Sequence, residues 1–227
     1  ARAGLINYVS PDLMGFTDEV NDWMIRYASA DPARLIAFGS VNPRFTAAVG
    51  DAVDRILERG VKALKVHPPH QLFRANAYLE SLPRLAELYQ RAEAAGVPVT
   101  IHTGTSVFPG ARSRLGDPMD VDDVAVDFPR LTILLAHGGR PLWMEAAFFV
   151  VRRHPNVYLE LSGIPPARLL EYFPRLEAIA DKAVWGTDWP SPGVASMRRN
   201  VEQFLALPLS ADARRKILYD NASRLFQ

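Results

Sequence analysis

The sequence of 227 residues contains no cysteine. Disulfides and thiolate metal sites are therefore excluded, and a bound metal would have to use histidine, aspartate, glutamate or lysine. No run of about 18 apolar residues occurs, so no transmembrane helix is expected. Charge of one sign is also lacking: 26 lysines and arginines stand against 25 acids, scattered along the chain, for a net charge of +1. That balance leaves no electrostatic footprint for nucleic acid or a membrane surface. The N-terminus has no basic-then-apolar signal pattern, and a cytoplasmic location is expected. No Gly-x-Gly-x-x-Gly follows the first apolar run, which removes the usual support for a dinucleotide fold.

The chain does have a hydrophobic content of 48%, enough for one substantial core. Seven short apolar runs read as buried strands: residues 5–10, 35–41, 61–67, 97–102, 131–136, 157–162 and 183–187. Helical patterns separate them, at 17–29 with Thr17 as N-cap, 46–58, 82–95, 120–128, a segment started by Pro141, 165–180 with a bend at Pro174, and 195–205. Short helices at 211–218 and 221–226 close the chain. Strands alternating with helices mean a mainly parallel sheet. Polar residues at the ends of many strands favour a TIM (β/α)₈ barrel over an open sheet, because in a barrel every strand end faces one site. The expectation is a single barrel domain over residues 1–227. Seven strands are counted where a barrel has eight, and the missing first strand is expected before residue 5. Its absence would leave a gap between the first and last runs, to be filled by upstream residues or by a partner, or left as a disordered region.

Three of the runs end on a polar residue that attracts attention: His102, His137 and Asp188. Two imidazoles and a carboxylate at the carboxyl ends of parallel strands would share one mouth, and that mouth is read as the active site of a metal-dependent enzyme. Lys65 and His67 are two apart and share a strand face, so both are expected to meet substrate. Lys65 is read as a plain amine rather than a carboxylated metal bridge. The polar loop 103–118 carries Arg112 and Arg114 and should overhang the mouth, where a guanidinium suits a substrate carboxylate. Gly138 and Gly139, just before a helix start, would offer N–H groups to an anionic oxygen. Trp189 reads as a pocket wall. Glu160 and Ser162 could line the pocket or serve structure equally well, and His70 and His154 read as surface residues.

The motifs Lys65-Val66-His67-Pro68, Ile101-His102-Thr103-Gly104, Ala136-His137-Gly138-Gly139 and Gly186-Thr187-Asp188-Trp189-Pro190, in this order, resemble the amidohydrolase superfamily. The branch that contains the aminocarboxymuconate-semialdehyde-decarboxylase-like and related metal-dependent hydrolases is the nearest likeness, and the tail from Ile217 to Phe226 is similar to it too. The resemblance implies that His102 binds metal, that His137 binds a second metal or assists catalysis, and that Asp188 touches both the metal and its water. The family's His-x-His pair on the first barrel strand has no match, since no two of the five histidines stand one residue apart. The expected activity is metal-dependent hydrolysis of a small carboxylated or cyclic substrate by metal-activated water, with a divalent ion, zinc first and manganese second. A non-oxidative decarboxylase on the same scaffold and an inactive barrel remnant are the alternatives. The expected partner is a small-molecule substrate, with a homodimer left open and with no nucleic acid or membrane.

Overall fold

The structure, a computed structural model, describes residues 2–191 and 193–226. Seven strands form one wholly parallel sheet in the order β1 to β7: β1 Ala3–Leu5, β2 Leu35–Gly39, β3 Ala63–Val66, β4 Val99–His102, β5 Ile133–Ala136, β6 Val157–Glu160 and β7 Ala183–Val184. Among the described residues, β1 and β7 are the two ends of the sheet. Sequential order with helical crossovers is the wiring of a TIM-type barrel wall, as the reading of the sequence expects.

The period of two along each strand separates two layers. Leu64 and Val66, Val99 and Ile101, Ile133 and Leu135, and Val157 and Leu159 belong to the main core, packed against the helices. Their alternates Lys65, Thr100, His102, Leu134, Ala136, Tyr158 and Glu160 turn to the other face. Register then sets them in rows: Lys65, Thr100, Leu134 and Tyr158 are successive partners, and one row nearer the carboxyl ends lie His102, Ala136, Glu160 and Val184. On that inner face Ile36, Phe38 and Ala63 form a small separate cluster, covered by Phe226 from the C-terminus. Arg2 donates to the Phe226 carbonyl from the other end of the chain.

The helices are α1 Pro11–Met14, α2 Glu19–Ala28, α3 Val49–Glu58, α4 Pro68–Gln71, α5 Leu85–Ala95, α6 Met119–Asp127, α7 Met144–Arg153, α8 Leu169–Tyr172, α9 Met197–Leu205, α10 Ala211–Arg215 and α11 Asn221–Leu225. None is long and apolar enough to cross a membrane. Several boundaries differ from expectation for local reasons. β1 starts two residues before the expected run 5–10 and ends five residues short of its end, and Ser10 bonds across a turn to Phe16 instead of to the sheet. β7 ends at Val184, since the Trp185 N–H goes to the Ile217 carbonyl. Asp18, not Thr17, is the N-cap of α2, and its side chain makes no cap bond. Pro174 breaks the expected helix 165–180 into α8 and flanking 3₁₀ turns.

Pro141 does not start a helix. α7 begins three residues later, at Met144. The segment 137–139 is instead a left-handed turn, with φ of 68° at His137, 55° at Gly138 and 73° at Gly139. Gly138 is obligatory there: a Cβ would stand 2.6 Å from Cζ of Phe173 and 2.9 Å from Cδ1 of Leu159.

Candidate active site

Strand ends β3 to β5 bring a row of imidazoles together. His67 stacks on His102 with ring centroids 3.8 Å apart, and His102 meets His137 edge-on at 4.7 Å. On the other side His67 stacks on His70, also at 3.8 Å. All four are buried. His70 is thus no surface residue: Tyr8 Oη lies 2.7 Å from its Nδ1 and Ser106 Oγ lies 2.6 Å from its Nε2. His154 is buried as well, but far from this row, where its Nε2 pairs with Asp122 at 2.7 Å to tie α7 to α6.

Burial lowers the pKa of every imidazole in the row, since the charged form loses water. His67 and His102 lie well below the usual histidine value. His70 falls to about 4, by burial and then by the Lys65 charge. His137 is also held low, by burial and by Lys65, against the pull of Asp188. These rings are neutral at physiological pH and have lone pairs to offer.

His137 is oriented by Ser162. Its Nδ1 is 2.8 Å from the Ser162 carbonyl oxygen, which can only accept, so Nδ1 carries the proton and Nε2 is bare. Ser162 is fixed in turn by Glu160: its N–H donates to Oε1 at 2.9 Å and its Oγ to Oε2 at 2.6 Å. Glu160 therefore belongs to the site, with its carboxyl pushed up to about 7 by burial.

Asp188 reaches the same place with φ of 62°, a left-handed conformation rare outside glycine. Gly163 marks the convergence. A Cβ built on it would lie 2.6 Å from Arg140 Nη2, 2.9 Å from Asp188 Oδ2 and 3.0 Å from His137 Nδ1. Three side chains from two strand ends, those of β5 and β7, thus crowd one point that only a glycine leaves free. Lys65 lies on the inner face one row below, buried, with its pKa lowered to about 8 by burial against the opposing pull of Glu160 and Asp188.

The donors suit a divalent ion in kind. Both ring nitrogens of His102 are buried without a hydrogen-bond partner, as is Nδ1 of His67. An orphaned buried imidazole is costly unless something binds it. Among the described residues, however, no three His, Asp or Glu side chains are arranged to hold a metal ion by themselves. The chemistry of the donor set fits, but the set does not close around an ion.

The remaining expected residues sit at the rim. Arg112 and Arg114 are exposed. Their loop is docked by the Arg112 N–H on the Pro69 carbonyl and by Ser106 on His70. Trp189 is 52% exposed beside Asp188. Of the two glycine N–H groups expected to meet an anion, that of Gly139 donates to Thr103 Oγ1 at 2.9 Å, and α7 starts only at Met144. Arg140 has no signal of its own in the sequence, standing between the two glycines and Pro141. Tyr8 has none either, because nothing local links residue 8 to residue 70.

A sequence model of the family described as amidohydrolase matches residues 10–227. Two curated relatives match parts of the chain. The L-fucono-1,5-lactonase of Burkholderia ambifaria is 28% identical over 125 residues, 44% of this chain and 43% of that protein. The 4-sulfomuconolactone hydrolase of Hydrogenophaga intermedia is 31% identical over 94 residues, 33% of this chain and 29% of that protein. The matches thus span less than half the length of either relative. Among solved structures, a TIM-barrel protein of Bordetella bronchiseptica superposes with a TM-score of 0.79 at 26% identity, covering 99% of this chain and 76% of that one. A 5-carboxyvanillate decarboxylase of Novosphingobium aromaticivorans, complexed with manganese, gives 0.67 at 18% identity, covering 92% and 68%.

Proposed function

The chain belongs to the amidohydrolase family, and from that premise we propose that it acts as a metal-dependent hydrolase opening a small lactone with water. The observation that carries this reading is the convergence at Gly163 of His137, Asp188 and Arg140, beside the unpartnered His102. The lactone is favoured over other cyclic substrates because both curated relatives are named for hydrolysis of lactones.

His102, His137 through Nε2 and Asp188 would contribute ligands to the ion, zinc or manganese, together with further donors, since these three do not close around it. Such an ion supplies Lewis acidity and brings the pKa of a bound water toward neutrality. Asp188 takes a proton from the attacking water and delivers it to the ring oxygen as the acyl C–O bond breaks. One water is consumed and a hydroxy acid leaves. His137, protonated on Nδ1 and fixed on Ser162, has no proton to donate from Nε2. It therefore serves as ligand and cannot also donate a proton to the developing charge. That second task falls to Lys65, whose ammonium makes no ion pair among the described residues and faces the same mouth. His67, stacked on His102, is then a wall of the substrate space, with Trp189 and Arg112 at its rim.

Asp188→Asn tests the reading. Turnover of lactones, followed as proton release, should disappear while the melting temperature stays within a few degrees. A fully active Asn variant would defeat it. The non-oxidative decarboxylase alternative has support at the level of the fold alone. Release of carbon dioxide from aryl carboxylates in place of lactone opening would favour it. The inactive-remnant alternative predicts that no metal is retained and neither reaction occurs.

A further inference from the structure

Arg140 makes no direct ion pair among the described residues, although the charges of Asp188 and Glu160 act on it through space. Its backbone is pinned: the N–H donates to the His137 carbonyl, and the carbonyl accepts from Thr105 N–H at 2.9 Å. Gly104 permits that approach, since a Cβ there would stand 2.2 Å from the Arg140 oxygen. The side chain is half-buried, and Nε is buried with no partner. Among the described residues the guanidinium makes no hydrogen bond and no ion pair. The carboxylates near it are not its partners. Glu160 has both oxygens engaged by Ser162, and Asp188 forms no ion pair with it, although both lie close to the bare face of Gly163. A partly buried guanidinium left unpaired is expensive, and its planar fork matches a carboxylate.

We propose that Arg140, through the open face of Gly163, binds a carboxylate carried by the substrate, so that the lactone is an acidic one. This rests on the lactone-hydrolase reading for the ring and adds the group that the ring must bear. In this arrangement Arg140 holds the substrate by a group that does not react, and the lactone carbonyl is left to the His102, His137 and Asp188 side of the mouth. Gly163 is kept bare because a methyl group there would stand 2.6 Å from Nη2 and block the fork. The bland account is that Arg140 merely balances the charge of Asp188. The two accounts differ in which substrates feel its loss.

The test compares γ-butyrolactone with its 5-carboxylate, 5-oxotetrahydrofuran-2-carboxylate, on the full-length metal-loaded protein and on Arg140→Gln and Arg140→Lys. The wild type should prefer the carboxylated ring. Arg140→Gln should lose on the order of 100-fold more in kcat/KM for that ring than for γ-butyrolactone, mainly through KM. Arg140→Lys should recover part of the loss. Equal losses on both rings, or no loss on either, would overturn the proposal and leave the lactonase reading standing. Calorimetric titration with 2-hydroxyglutarate, the product of the carboxylated ring, supplies the independent arm. Should the wild type open neither ring, the proposed activity fails, and the titration still decides: binding lost in Arg140→Gln supports the subsite, and absence of binding to the wild type, or equal binding to both proteins, overturns it.

Discussion

The carbonyl oxygen of Ser162 stands 2.8 Å from Nδ1 of His137, and the hydroxyl of the same serine stands 2.6 Å from Glu160. One residue therefore sets the tautomer of an imidazole with its backbone and satisfies a buried carboxylate with its side chain. Ser162→Ala separates the two roles. The carbonyl remains, so His137 keeps its orientation and kcat should fall less than about tenfold. Oε2 of Glu160 loses its donor in a buried place, which costs about 1–3 kcal/mol. Thermal melting alongside turnover checks this: a large stability loss with modest activity loss is expected. The reverse pattern would mean that the hydroxyl, not the carbonyl, controls the ring.

The glycine after His137 gives a second expectation. Gly138→Ala places a methyl group inside the contact distance of Phe173 and Leu159, both buried, at a φ of 55°. Overpacking and left-handed strain together should destabilise the fold by about 2–4 kcal/mol. His137 is adjacent, so the loss should appear in activity too. Denaturant unfolding of the variant measures the first part. A midpoint equal to that of the wild type would show that the turn can relax without cost.

The sheet and its wiring are legible because buried parallel strands are short apolar runs: six of the seven runs hold a strand, and the first shares only Leu5 with β1. Strand ends were overestimated where the chain leaves the sheet for a partner distant in sequence, as Trp185 does for Ile217. His102, His137 and Asp188 were legible as polar stops after apolar runs, and they do gather at one end of the sheet. What stayed hidden depends on contacts that no local pattern carries. His70 is buried only because Tyr8, 62 residues away, and Ser106, 36 residues away, cover it. Glu160 and Ser162 suit structure or site equally well in the sequence, which carries no sign of the hydrogen bonds between them that orient Ser162 toward His137. Arg140 stands between Gly139 and Pro141 and carries no signal of its own.

His102 offers a test of metal binding that does not need turnover. Its two ring nitrogens make no hydrogen bond in the protein, so removing them breaks none. Zinc or manganese at about a thousandfold excess over the dissociation constant should stabilise the wild type by about 4 kcal/mol. His102→Leu should melt near the metal-free wild type and lose most of that increment. Chelation should return the loaded wild type to the metal-free melting temperature. A variant that is stabilised by metal as strongly as the wild type would remove His102 from the ligand set.

Asp120 lies away from the mouth and supplies the pH dependence. It is 5% exposed, with Oδ1 2.6 Å from Nη1 of Arg74 and Oδ2 buried without a partner. Burial pushes its carboxyl up to about 6 despite Arg74. The folded protein thus keeps this proton up to about pH 6, while the unfolded chain releases it near pH 4. Between those values the folded form binds more protons, so this group's contribution to stability declines as pH rises through the window and is at its least above pH 6. The full swing is of order 2–3 kcal/mol. Asp120→Asn holds a neutral group at every pH, so its stability relative to the wild type should grow from pH 4 to pH 7 and then level off. Denaturant midpoints of both proteins across that range decide the matter. Parallel profiles would mean that Arg74 compensates the buried carboxylate fully and that the proton is lost at the ordinary value.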